Sequence, residues 1–70
     1  MSKYDLQGID GNAFNIIGYV SQAMRREHYS KEEIIKYREI ATSGDYDFLL
    51  CVSLEKIDEI NKKVEENEGE

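Results

Sequence analysis

The chain has no proline and no tryptophan, one cysteine and one histidine. A single cysteine, Cys51, excludes an intramolecular disulfide. One cysteine and one histidine (His28) also fall short of the four ligands of a structural zinc site. No run approaches the ~20 apolar residues that a membrane-spanning helix needs. Met1-Ser2-Lys3-Tyr4-Asp5 has no apolar stretch behind it, so no signal peptide is expected and the expected compartment is the cytoplasm. There is no glycine-rich phosphate loop, no nucleophile elbow and no pair of histidines, so the expectation is a protein that binds and is not an enzyme, with no cofactor and no metal.

What is present is short and acidic. Seventy residues make one domain at most, and a domain of this size buries a small share of its surface. Without disulfide or metal, association with another chain is the remaining common source of stability. The net charge of -6 disfavours direct nucleic-acid binding, which is driven largely by cationic side chains. The charge is uneven. Residues 41 to 70 carry the acidity, while residues 21 to 40 hold Arg25, Arg26, Lys31, Lys36 and Arg38 against Glu27, Glu32, Glu33 and Glu39.

Periodicity predicts an all-α chain: a three-helix bundle with a short non-helical N-terminal arm and an extended C-terminal helix. Residues 1 to 11 lack helical spacing; Tyr4, Leu6 and Ile9 could fold back on the core as an extended arm, with a frayed tail as the alternative. The first helix spans about 12 to 28. Asn12 caps it, and Ala13, Ile16, Ile17, Val20 and Met24 mark its buried face. Gly18 inside it suggests a close helix–helix approach. The second helix spans about 30 to 43. Ser30-Lys31-Glu32-Glu33 reads as a capping box, with Tyr29 and Ile34 as its staple. Ile34, Tyr37, Ile40 and Ala41 form its stripe, and Gly44 is expected to end it in a left-handed conformation.

The third helix spans about 45 to 66. Phe48, Leu49, Leu50, Cys51 and Val52 are apolar almost all round, which predicts a central core helix with Cys51 buried. Residues 67 to 70 should fray, because acidic groups oppose the dipole at a helix C-terminus.

Asp10-Gly11-Asn12-Ala13-Phe14 and Ala41-Thr42-Ser43-Gly44-Asp45-Tyr46-Asp47 resemble a family of short uncharacterised proteins of bacterial genomes, prophages and mobile elements. That resemblance covers residues 9 to 50. It implies a genomic context and carries no chemistry with it.

Ser43 to Asp47 invites a cation-binding reading, but a calcium loop needs more oxygen ligands than this segment offers, so it reads as helix punctuation. Three surfaces remain as candidates. Glu55, Asp58 and Glu59 give the third helix an acidic face for a protein partner. Leu50, Leu54, Ile57, Ile60 and Val64 could pair two copies, since Leu50, Ile57 and Val64 lie seven apart; the same spacing also suits a helix that packs along the full length of the other two. Arg25, Arg26, Tyr29 and Tyr37 combine cations and aromatics suited to a nucleotide-like ligand held by an oligomer. The leading expectation is a small acidic interaction module, a regulator or inhibitor of a host factor. Ligand sequestration and a structural subunit of a larger assembly are the alternatives.

Overall fold

The computed structural model describes residues 3 to 68. Three helices follow one another, α1 (Ala13–Arg26), α2 (Lys31–Ala41) and α3 (Tyr46–Glu68), and each packs against the other two. The expected order and class hold, and the described residues contain no strand.

Both ends of α1 and α2 and the start of α3 have a local chemical cause. The Asn12 side chain accepts the Phe14 N–H at 2.8 Å, and Asp10 accepts the Asn12 N–H at 3.2 Å. At the other end of α1, the Tyr29 N–H donates to the Met24 carbonyl and the His28 N–H to the Arg25 carbonyl. That pair of bonds closes a Schellman turn, and His28 occupies its left-handed position at φ 70°. Arg25 and Arg26 in the last turn complement the helix dipole.

The capping box on α2 is complete: Ser30 and Glu33 exchange side-chain-to-backbone bonds at 3.0 and 3.1 Å. Gly44 is not left-handed, contrary to expectation. The end of α2 is closed by hydroxyls instead. Thr42 Oγ1 donates to the Arg38 carbonyl at 2.8 Å and Ser43 Oγ to the Ile40 carbonyl at 2.7 Å. Gly44 serves a different need, since a Cβ there would meet the Phe48 side chain at 2.9 Å. Asp45 then caps α3 by accepting the Phe48 N–H at 2.9 Å.

The core is built from Ile16, Ile17, Val20, Ala23 and Met24 of α1, Ile34, Tyr37 and Ala41 of α2, and Leu49, Ile57, Ile60 and Val64 of α3. The arm docks as expected. Tyr4 is buried, Leu6 and Ile9 pack at the core margin, and Tyr4 meets Tyr19 edge to face at 6.4 Å. The Asp5 N–H donates to the Tyr19 hydroxyl at 3.0 Å, and the Tyr46 hydroxyl donates to the Gly11 carbonyl.

Four expectations need correction. Cys51 is exposed, as are Phe48 and Leu54, so α3 is not a helix buried all round. The protein measures 39 × 27 × 15 Å, and its shortest extent is little more than one helix diameter. With no fourth element, every helix keeps an outer face. Ile40 is exposed on α2 for the same reason. Gly18 supports no close approach to another helix of this chain, since a Cβ there would find nothing within 4 Å. α3 runs on through residues 67 and 68, past its expected end at 66; Gly69 and Glu70 of the expected frayed tail lie outside the described residues, as do Met1 and Ser2 of the arm.

Candidate interaction surface

The α3 backbone turns two kinds of residue to opposite sides. Its inward positions are Leu49, Ser53, Ile57, Ile60, Asn61 and Val64. Ser53 and Asn61 are polar, and both are satisfied. Ser53 shares a 2.7 Å hydrogen bond with the Tyr37 hydroxyl, and Asn61 is bonded twice to the Tyr4 backbone. Ile57, Ile60 and Val64, nominated for pairing, therefore lie inside the monomer core, Ile60 with no exposed surface at all. Leu50 is half-buried, and of the five nominated residues Leu54 alone is largely open, at 55 % exposure.

The outward side of α3 begins apolar and becomes acidic. Phe48, Cys51 and Leu54 recur every three residues, so they lie along one side of the helix and lead to Glu55 and Asp58 on the next turn. All five are exposed. The acidic half is laced with cations. Asp58 pairs with Lys62 at 3.4 Å, and Glu59 pairs with Lys56 at 3.2 Å. Glu59 also accepts the Tyr29 hydroxyl at 2.7 Å. Lys63 sits 4.2 Å from the Tyr29 ring centroid and not on Glu59, the i,i+4 partner that helix spacing suggests. Glu59 is thus engaged inside the fold. Glu55 forms no ion pair among the described residues and faces solvent.

The four residues nominated for a nucleotide do not converge. Tyr37 is buried, and burial pushes its hydroxyl pKa up. Tyr29 is half-buried, and its pKa is raised by burial and by the Glu59 hydrogen bond. Arg25 shares a shallow hollow with Tyr29, Lys31 and Arg38, while Arg26 opens into a different one beside Tyr4 and Tyr19. No group of three or more metal-ligating side chains occurs among the described residues.

Glu27 anchors the arm. Its carboxylate accepts the Tyr4 hydroxyl at 2.6 Å and pairs with Lys3 at 3.1 Å. The Tyr4 hydrogen bond, followed by that of Lys3, holds the Glu27 pKa below its usual value. Burial and the same carboxylate raise the pKa of Tyr4.

Sequence reasoning missed Phe14, which is 84 % exposed at the start of α1. It flanks the apolar stripe in sequence, and no signal short of the packing separates a flanking core residue from an outward one.

No protein-family model matches the chain, and no curated protein and no solved structure matches it. No helix among the described residues is long and apolar enough to cross a membrane.

Proposed function

We propose that the chain is a protein-interaction module that binds through the outer face of α3. The observation that carries this is the exposure of Leu54 and Phe48 beside Glu55 and Asp58. An exposed apolar side chain contributes affinity when a partner covers it, and adjacent carboxylates select a partner whose rim is basic. The chemistry fits an apolar pocket edged by lysine or arginine, as on proteins that hold nucleic acid. In the mobile-element setting suggested by the Asp10–Phe14 and Ala41–Asp47 motifs, such a module is a small regulator or inhibitor of a host factor.

Affinity capture from the host, with the intact chain as bait, tests this. Leu54→Arg and the double reversal Glu55→Lys, Asp58→Lys touch solvent-facing positions and leave the core intact. Each should abolish capture of the specific partner while the helical spectrum and thermal midpoint stay near the parent. Capture unchanged in both variants sinks the reading.

A further inference from the structure

A second surface, on the far side of α1, is complementary to itself. Phe14 projects from the first turn with most of its ring in water. One turn on, Gly18 leaves a gap in the side-chain surface, and nothing lies within 4 Å of where a Cβ would stand. Phe14 and Gly18 line both shallow hollows that flank α1, one toward α2 and one toward the arm. Ser21 lies in the hollow toward α2. It is only 8 % exposed, and its hydroxyl is the one buried side-chain polar atom without a hydrogen-bond partner among the described residues. Native chains leave few such groups unpaired, so this face reads as incomplete within one chain. Phe14, Gly18, Ser21 and Arg25 follow a four-three-four spacing and share one side of the helix.

We infer that two copies of this chain dimerise through α1, antiparallel and about a twofold axis near Ile16. Phe14 and Gly18 are about 6 Å apart along the helix. An antiparallel crossing at the level of Ile16 therefore sets each Phe14 into the Gly18 notch of the other copy. A twofold interface requires such reciprocity, in which one patch carries both the knob and its hole.

Charge selects the same orientation. Arg25 stands at the C-terminal end of this face and forms no ion pair among the described residues. Asp10 stands exposed at the opposite end, just ahead of the helix. A helical side chain leans toward the helix N-terminus, which brings Arg25 over the level of Gln22. In the antiparallel pair that level lies beside the N-terminal end of the second copy's α1, where Asp10 stands exposed, so each end brings one Arg25 toward one Asp10. A parallel pair would set Arg25 against Arg25. Two α1 dipoles running in opposite directions add to the preference. The arrangement leaves α3 free, so it is independent of the partner surface proposed there.

Sedimentation equilibrium of the intact chain should give a mass approaching twice 8.1 kDa. Phe14→Ala removes the knob and Gly18→Gln fills the hole. Neither position packs into the core, so both variants should fold, and the glutamine should raise helicity. Each should weaken the dimer by at least about 30-fold, as expected for the centre of an interface. Arg25→Glu should weaken it too, and combining Arg25→Glu with Asp10→Arg should restore it. A parent chain that stays monomeric up to millimolar concentration overturns the inference. So does a dimer that survives both Phe14→Ala and Gly18→Gln, which would place the contact on another face.

Discussion

The side chain of Asn61 completes the backbone of Tyr4. The Tyr4 N–H donates to Asn61 Oδ1 at 3.0 Å, and Asn61 Nδ2 donates to the Tyr4 carbonyl at 2.9 Å. One carboxamide thus serves both backbone groups of a residue that is buried without belonging to a helix or strand. A buried backbone donor and acceptor left bare are costly, and few side chains other than Asn and Gln supply both partners. Asn61→Ala strips both bonds at once. The variant should lose about 2–3 kcal/mol in urea unfolding, with loss of amide-exchange protection at Tyr4. Asn61→Asp should be at least as damaging, because a carboxylate cannot donate to the Tyr4 carbonyl.

His28 is the only described residue other than glycine with a positive φ, at 70°. It holds the Schellman position at the end of α1, where a Cβ crowds the following carbonyl. His28→Gly should therefore raise stability by about 0.5–1 kcal/mol, the relief of strain exceeding the added entropy of the unfolded chain. His28→Val should lower it, since a β-branched residue tolerates this region worse. Thermal unfolding of the two variants at neutral pH checks both signs.

How far the sequence revealed the molecule differs by element. The capping box of α2 was legible because Ser30 and Glu33 satisfy each other locally and need no tertiary partner. The arm was legible because Tyr4, Leu6 and Ile9 had no other place to bury. The outer face of α3 was not. Phe48, Cys51 and Leu54 look like core in any window of sequence, and only the absence of a fourth packing element turns them outward. Polar Ser53 and Asn61 then take inward positions that apolar patterning would not assign to them, because Tyr37 and the Tyr4 backbone need their hydrogen bonds. Gly18 and Gly44 exchanged expectations in a similar way: open space surrounds the first, and the Phe48 ring crowds the second.

Glu27 gives the fold a pH dependence. Its folded pKa lies below the ordinary 4.5 because the neutral Tyr4 hydroxyl and the Lys3 cation both favour the carboxylate. A depressed pKa contributes stability that is fully present above the unfolded value and is lost as pH falls through the folded one. Glu33 acts in the same direction through its bond to the Ser30 backbone. Stability should hold above about pH 5 and decline below it. Tyr4→Phe removes the hydroxyl hydrogen bond that does most to hold the Glu27 pKa down, so the acid decline of that variant should be shallower than the parent's. An unchanged acid limb in Tyr4→Phe would show that the arm contact with Glu27 does not govern it.

Among the described residues, Tyr37 and Ser53 form the one fully buried side-chain hydrogen bond between α2 and α3. Their hydroxyls are 2.7 Å apart, and Ser53 has no exposed surface. The net worth of such a bond is modest, but an orphaned buried hydroxyl is expensive, so the two single deletions should each cost more than the bond itself. Ser53→Ala should lose about 1–2 kcal/mol, since it leaves the Tyr37 hydroxyl bare, and Tyr37→Phe should lose a similar amount by stranding Ser53. In the double variant neither hydroxyl remains to be desolvated. Its loss should fall well short of the sum, with a coupling of about 1 kcal/mol in a double-mutant cycle by urea unfolding. Simple additivity would mean that solvent reaches one of the hydroxyls once the other is gone, and that the α2–α3 seam opens more readily than its packing indicates.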